Sequence, residues 1–585
     1  MILLGYATTF VLSIATLILV LAVAFYRDEI AIALGSFNRI DIAALILILA
    51  FFVAFSLLLM HPAEQLYFDE NIYQGIAINI LHHGNALWCQ YGNGYLDSCY
   101  SNLIYHDPVE ISFFLAIAFA LFGIGPNTAY ATQLLVGTFS VLLLFMTSRV
   151  LLRKRIATVT AAAIFALMPE LLIWSRTQAD PDLYFMMLAT LSFFFFSVFS
   201  KRQNMRTLLM FMPSLVLAVY ARMEGILLIP VFAILFLFFG EGGIRETFKV
   251  RLREIVNAID SNTKLMVLIL VFILLLIPQL ELVLMSASNP SYGQPQGQAA
   301  VSLLNFKANI KSNVAFLTGK LNSIGNYPAI FPAMITYLAI IGAALLLFDE
   351  SYKNRFGIVL MLGLWFATYF FFYTSFYAGA ATFGVDVRFM LTLLPSLSIL
   401  AAIGMTELSE LIGYSPMVIK MMMKKAVHFK ASQYRRYVII AQTFLFIILV
   451  IWPFAHLYSL VTMLPSNMPQ QNVILPVITF FYNNYQAVPT NCLVFSLTPD
   501  IWYEFNRSSA QISYVYARGD PRFVQFASKY SCFVLDYGYW CVVPPNHGGI
   551  CATILSNFKH KALSVGQNTS VGPAPGFYEL LNYTP

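Results

Sequence analysis

Charged side chains are scarce in this sequence. Asp, Glu, Lys and Arg make up 11% of its 585 residues, against roughly 25% in soluble domains. Hydrophobic residues make up 59%, so the chain has too few charges to cover a water-exposed globule of this size. The composition therefore excludes an ordinary soluble protein, and the modest net charge of +6 gives no sign of nucleic-acid binding.

Cysteine is also rare, and no Cys-Xaa-Xaa-Cys spacing occurs that would favour a zinc site. The six cysteines all fall between or after the apolar runs: Cys89, Cys99, Cys492, Cys532, Cys541 and Cys551. An even number on an oxidising side predicts disulfides. A Cys89–Cys99 bond would close a short loop, and the other four cysteines pair in one of three ways. Free thiols are the alternative.

Long apolar runs are abundant, and most are long enough to cross a ~30 Å hydrocarbon core. The first lacks the basic start and small-residue cleavage site of a signal peptide. The sequence predicts a polytopic α-helical membrane protein of about twelve spans: 2–25, 41–60, 128–148, 156–173, 183–200, 207–221, 224–240, 265–287, 328–348, 356–377, 389–412 and 438–463.

Basic residues between the runs predict the orientation, because Lys and Arg concentrate in cytoplasmic loops. They cluster at 149–155, 201–206, 245–264 and 420–436. These loops alternate with segments that hold the cysteines. The cysteine-bearing segments are therefore expected outside the cell, or in the lumen of the endoplasmic reticulum if the chain is eukaryotic.

The chain is predicted to consist of two domains. We expect a multi-span domain over 1–463 and an external soluble α/β domain over 464–585, with buried strands at Cys492–Ser496 and Cys532–Asp536. The external loop 61–127 should carry surface helices, one starting near Glu70 and one ending at Gly123.

An acidic pair, Asp69-Glu70, follows the second apolar run by about eight residues. Burying two carboxylates in the hydrocarbon core of the membrane is energetically costly, so the pair should lie where the chain leaves the membrane. At that depth carboxylates can meet the head group of a lipid substrate. Alternatively, the pair caps the helix that follows it.

Further motifs follow in order: His106-Asp107-Pro, Ser175-Arg176-Thr-Gln-Ala-Asp180-Pro-Asp182, Ala221-Arg222-Met-Glu224-Gly, and Asp386-Val-Arg388-Phe with Pro395. Together with Asp69-Glu70-Asn-Ile-Tyr they cover roughly residues 40–410. In this order they resemble the GT-C glycosyltransferases, in the branch of protein O-mannosyltransferases and aminoarabinose–lipid A transferases. No Trp-Trp-Asp motif of the oligosaccharyltransferase branch is present.

The resemblance implies a sugar donor linked to polyprenyl or dolichyl phosphate, and transfer with inversion. It makes Asp69 the candidate base and Asp180 a second acid in the same cavity. Arg222 and Arg388 become candidate ligands of the donor phosphate, since a guanidinium binds phosphate through parallel hydrogen bonds. The alternative for both arginines is snorkelling to the membrane interface.

Several residues near these candidates have more than one predicted role. Glu70 holds a metal or a sugar hydroxyl, or only caps its helix. Asp182 supports the site or is an N-cap, Asp386 orients Arg388, and Arg176 reaches the phosphate or pairs with Asp180. His106, beside Asp107, replaces the basic residue that the family has near the phosphate. A divalent metal held by histidine and carboxylates is possible in principle, and its presence stays undecided.

These observations predict an integral-membrane glycosyltransferase that moves a monosaccharide to a protein, lipid or glycan acceptor. Two other classes stay open. A transporter or flippase of lipid-linked sugars should show charges deep in its spans and repeated halves, whereas the charges here lie mainly at span ends. A non-catalytic membrane protein with a partner-binding external domain is the other.

Overall fold

A computed structural model describes residues 2–60, 69–92, 99–100, 109–152, 154–176, 179–239, 263–288, 299–319, 331–348, 354–381, 386–422, 440, 444, 471–517, 519–542, 548–568 and 573–585. The first part of the chain is helical. Its helices are α1 (Ile2–Phe25), α2 (Arg27–Leu34), α3 (Arg39–Leu59), α4 (Asp69–His83), α5 (Glu110–Phe122), α6 (Pro126–Leu151), α7 (Arg155–Ala166), α8 (Pro169–Trp174), α9 (Pro181–Arg202), α10 (Met205–Ala221), α11 (Leu228–Phe238), α12 (Thr263–Ser288), α13 (Leu303–Leu317), α14 (Ala333–Phe348), α15 (Arg355–Ser375) and α16 (Leu394–Met422), with 3-10 turns at Met223–Leu227 and Asp386–Leu393.

Seven helices of the described part are long and apolar enough to cross a membrane. They correspond to seven of the twelve predicted spans, and they make the chain a multi-pass membrane protein. Four other predicted spans are shorter helices; that of 156–173 is broken into α7 and α8 because Pro169 starts a new helix. The last, 438–463, lies outside the described residues except for positions 440 and 444, so the number twelve stays a prediction.

Helix α9 and the segment Arg388–Leu411 form the centre of this bundle. The apolar stretch of Arg388–Leu411 is 100% buried within the protein. The apolar stretch of α12 is only 11% buried, so α12 lies at the periphery of the bundle. Glycines allow the centre to pack tightly. A Cβ at Gly404 would lie 2.1 Å from the backbone oxygen of Leu338 in α14, so only glycine permits this approach of two helix backbones.

The two helices predicted in the first external loop are confirmed as α4 and α5. The predicted surface helix α4 is not exposed, however. Its residues from Glu70 to Ile80 are buried, because α5 and the C-terminal domain both pack against it. The covering helix is α18 (Pro499–Glu504).

The C-terminal domain is a small α/β module, as predicted. Besides α18 it contains α17 (Gln471–Asn484), α19 (Pro521–Ala527), α20 (Tyr539–Val542), α21 (Gly548–Asn557), β2 (Cys492–Ser496), β3 (Ser509–Gln511), β4 (Cys532–Tyr537), β5 (His560–Val565) and β6 (Gly576–Leu580). Strands β2, β3 and β4 run parallel, and β5 and β6 are antiparallel to their neighbours. The predicted boundary at 463–464 falls outside the described residues.

The sheet of this domain includes a strand from the other end of the chain. Its order is β1-β3-β2-β4-β6-β5, and β1 (Tyr91–Gly92) belongs to the first external loop and pairs antiparallel with β3. The loop and the C-terminal domain are thus one hydrogen-bonded structure.

All six cysteines are in disulfides, Cys89–Cys99, Cys492–Cys532 and Cys541–Cys551. The first pairing confirms the expected short loop. Cys492 and Cys532 are register partners on neighbouring strands β2 and β4, which is why they pair with each other.

Candidate active site

The Asp180-Pro-Asp182 turn starts the central helix α9. Asp180 is the N-cap, and its Oδ1 accepts a hydrogen bond from the backbone N–H of Asp182 at 3.0 Å. Pro181 occupies the first helical position, where its missing N–H costs nothing. The alternative that Asp182 is the N-cap is therefore wrong. The Asp182 carboxylate does not cap the helix, and Asp182 is buried inside the protein with 0% of its surface exposed.

Two arginines from distant parts of the sequence converge on this turn. Arg222 follows the end of α10, and its Nη1 lies 3.1 Å from Asp182 Oδ1. Arg388, in the 3-10 turn before α16, forms an ion pair with Asp180 through Nη1 and places Nε 3.6 Å from Asp182 Oδ2. Both side chains are mostly buried and paired with carboxylates, an arrangement that argues against the snorkelling alternative.

A third carboxylate, that of Glu224, belongs to the described ion network. Glu224 Oε1 accepts a hydrogen bond from Arg222 Nε at 2.6 Å and another from the Tyr373 hydroxyl at 2.6 Å. Both guanidinium groups also lie near the ring of Phe389, whose centroid is 5.4 Å from Arg222 Cζ and 5.2 Å from Arg388 Cζ. An aromatic ring at this distance attracts a cation.

Asp69-Glu70 lies next to this network. Glu70 is 1% exposed, and its Oε1 accepts a 2.7 Å hydrogen bond from the backbone N–H of Ala179. That bond ties the first turn of α4 to the residue before Asp180. Glu70 therefore does more than cap its own helix. Asp69, one residue earlier, is only partly buried.

The electrostatics keep Asp180 charged. Burial raises the pKa of its carboxyl, but the positive charge of Arg388 and the hydrogen bond from the backbone N–H of Asp182 bring the pKa below its ordinary value. Asp180 is therefore ionised at neutral pH, and it holds Arg388 in place.

Several predicted residues do not join the described network. His106 and Asp107 lie outside the described residues, as does the side chain of Asp386. Arg176 is half-buried, and the partner of Asp180 is Arg388, not Arg176. Within the part of the chain that the structure describes, no three His, Cys, Asp or Glu side chains are grouped to hold a metal ion.

Sequence reasoning missed Tyr373, because nothing in an apolar run distinguishes a ring that faces charges. It included Phe389 only as the aromatic residue of the Asp386-Val-Arg388-Phe motif. Asp500 was also missed. It lies against Gly75 of α4, where an added Cβ would be 2.0 Å from its Oδ1.

Asp500 is one of the residues through which the C-terminal domain contacts α4. It is 0% exposed, and its Oδ2 accepts a 3.0 Å hydrogen bond from the Trp88 indole. Burial raises the pKa of Asp500 well above its ordinary value, although the Trp88 bond opposes that shift. The helix that begins at Asp69 is thus held between the membrane helices and this domain.

Comparisons with known proteins agree with the motifs. The family model described as dolichyl-phosphate-mannose-protein mannosyltransferase matches residues 106–280. No curated protein matches the sequence. The solved structure of ArnT from Cupriavidus metallidurans bound to undecaprenyl phosphate has 13% identity and a TM-score of 0.51, over 93% of this chain and 99% of that one.

The same protein in its apo state has 12% identity and a TM-score of 0.51, over 93% and 98% of the two chains. The archaeal oligosaccharyltransferase AglB from Archaeoglobus fulgidus, in complex with an inhibitory peptide and a dolichol-phosphate, has 12% identity over 85% and 69% of the chains. Its TM-score of 0.47 is too low to argue from. The family match covers one part of the chain, and the structural match shows that this chain has a fold similar to that of ArnT.

Proposed function

We propose that this protein transfers a monosaccharide from a polyprenyl or dolichyl phosphate to an acceptor hydroxyl on the external face of the membrane, with inversion at the anomeric carbon. The observation that carries the proposal is the convergence of Arg222 and Arg388 on the Asp180–Asp182 turn, to which Glu70 ties the candidate base Asp69.

The arginines supply the phosphate site. A phosphate diester carries one negative charge, and the charge grows when the sugar leaves. Guanidinium groups in a buried, water-poor site stabilise that growing charge more strongly than they would in water. The lipid tail then enters from the bilayer between the spans near Arg222 and Arg388.

Asp69 supplies the base. The acceptor oxygen attacks the anomeric carbon from the side opposite the phosphate, and one new C–O bond forms while the bond from that carbon to the phosphate oxygen breaks. The acceptor proton passes to the Asp69 carboxylate, and the bond electrons leave with the lipid phosphate. A single displacement of this kind inverts the anomeric centre, and a positioned base contributes about 10²–10⁴ in rate.

External orientation is part of the proposal. It is supported by the basic clusters at 149–155 and 201–206, which favour a cytoplasmic side, and by the three disulfides, which favour an oxidising one. The proposal places the site on the same external side, because β1 of the disulfide-closed loop pairs with the C-terminal sheet and the C-terminal domain contacts α4, which begins at Asp69.

The test is mass spectrometry of the glycans and glycolipids of cells that lack this chain. Cells complemented with wild type should regain the missing sugar, and cells complemented with Asp69→Asn at equal protein level should not. Asp28→Asn, in the exposed first turn of α2, removes the same charge far from the site and should restore the sugar. Full restoration by Asp69→Asn would overturn the proposed base. An unchanged glycan and glycolipid profile in the deleted cells would overturn the proposed function.

A further inference from the structure

Asp182 is the least satisfied carboxylate of the ion network. It is 0% exposed, and neither of its oxygens accepts a hydrogen bond of normal geometry from the described residues. Its attractions are the ion pairs with Arg222 Nη1 at 3.1 Å and Arg388 Nε at 3.6 Å. A buried carboxylate held in this way is costly, because burial removes its water without supplying hydrogen bonds in return.

The two other carboxylates are held more firmly. Asp180 accepts from Arg388 and from the backbone N–H of Asp182. Glu224 accepts from Arg222 Nε and from the Tyr373 hydroxyl, both at 2.6 Å. If any carboxylate gives up its arginines, it is Asp182. Each arginine then still keeps one partner, Asp180 for Arg388 and Glu224 for Arg222.

The charge balance favours such an exchange. Among the described residues, two arginines face three carboxylates, Asp180, Asp182 and Glu224. When all five groups are ionised, this described set carries one net negative charge before any phosphate arrives. An added phosphate increases that charge in a place with little water to screen it. A phosphate that binds both guanidiniums must therefore take the N–H groups that now face Asp182.

We propose that Asp182 is an internal anion that competes with the phosphate of the lipid-linked substrate for Arg222 and Arg388. This inference rests on the proposed function, which places that phosphate at these arginines. Asp182 weakens the binding of the phosphate and restores the arginine–carboxylate contacts when the lipid phosphate leaves. It acts as a positioning residue, since it acts through the arginines and not on the sugar.

The experiment measures binding of undecaprenyl phosphate, with undecaprenol as the uncharged probe, to the full chain in nanodiscs. Asp182→Asn keeps the shape of the side chain and removes its charge. We expect it to bind undecaprenyl phosphate about tenfold or more tightly than wild type, mainly through slower dissociation. Binding of undecaprenol should stay unchanged, and Asp182→Glu, which keeps the charge, should not show the gain.

Glu29→Gln is a matched control. Glu29 is also a buried carboxylate between two arginines, Arg202 and Arg206. Because Arg202 ends α9, this pair lies roughly 30 Å along the helix from Asp182. Its neutralisation should leave undecaprenyl phosphate binding as in wild type. Asp182→Ser, smaller and also neutral, replaces Asp182→Asn if that variant does not fold.

Equal or weaker phosphate binding by the folded neutral variants would overturn the competition. A different result separates this inference from the proposed function. If neither wild type nor the variants prefer undecaprenyl phosphate to undecaprenol, the phosphate site itself is wrong, and the inference falls with it. A preference that appears only after Asp182 is neutralised supports the competition.

Discussion

Replacing Gly75 by alanine tests how the C-terminal domain is held on the helix that begins at Asp69. Gly75 lies within α4, and a Cβ there would meet three atoms of one side chain. Oδ1, Cγ and Cβ of Asp500 would lie 2.0, 2.6 and 2.8 Å away. Rotation of the carboxylate cannot relieve all three contacts. The Asp500 side chain is also buried and bonded to Trp88, so α18 itself has to move.

The size of the effect follows from two opposing terms. Alanine in place of glycine within a helix gains about 1 kcal/mol. Overpacking of a tight contact costs about 1–3 kcal/mol, and the depth of this overlap places it near 3. The matched control is Gly363→Ala in α15, where an added Cβ meets nothing within 4 Å. The control variant should show only the helix-propensity gain and no overpacking cost. The free energy of docking the C-terminal domain should therefore differ by about 3 kcal/mol between the two variants, roughly a hundredfold in the docking equilibrium.

Hydrogen–deuterium exchange of the full chain in detergent measures that equilibrium. In Gly75→Ala we expect faster exchange in 86–92 and in β3, where the loop strand joins the sheet, because undocking exposes these amides. Gly363→Ala should leave the exchange of both segments as in wild type. Identical protection in the two variants would refute the reasoning that the Asp500–Gly75 contact fastens the domain.

Two further predictions concern the same domain. Burial raises the pKa of Asp536 to about 6, although hydrogen bonds from Trp502 and Ser496 oppose the rise. The protonated form is thus favoured in the fold, and its contribution to stability, about 3 kcal/mol, is present below pH 4 and is lost as the pH rises to about 6. Asp536→Asn should show a flatter dependence between pH 4 and 6 when protease resistance of the domain is compared with wild type; parallel curves would contradict this. Trp88→Phe removes the donor to Asp500 and leaves that oxygen buried, at a cost of about 1–3 kcal/mol, so its domain should be cleaved at lower protease concentrations than that of wild type. Equal resistance would show that the Trp88 hydrogen bond contributes little.

The local sequence predicted an element correctly where the residues of that element alone determine its structure. The strands at Cys492 and Cys532 have continuous apolar runs, and α4 and α5 have clear boundaries, so these elements were predictable. The Asp180-Pro-Asp182 turn was also recognisable, but its capping residue was not. Either aspartate satisfies the local preference, and only the backbone conformation at Asp180 decides between them.

Strand β1 was not predictable, since two residues, Tyr91–Gly92, show no periodicity. It becomes a strand because β3, far along the chain, supplies its hydrogen-bond partners. The pairing of Cys492 with Cys532 has the same origin, since register across two parallel strands brings them together.

By itself the sequence determined the class of protein and its candidate chemistry, because hydrophobicity, charge scarcity and the kinds of side chain in a motif are local properties. Only the tertiary structure decided which charges meet. Arg388 and Asp180 are 208 residues apart, and Asp182 is shared by arginines from two different turns. Electrostatic energy depends on distance in space and on burial, and neither quantity can be read from a position along the chain.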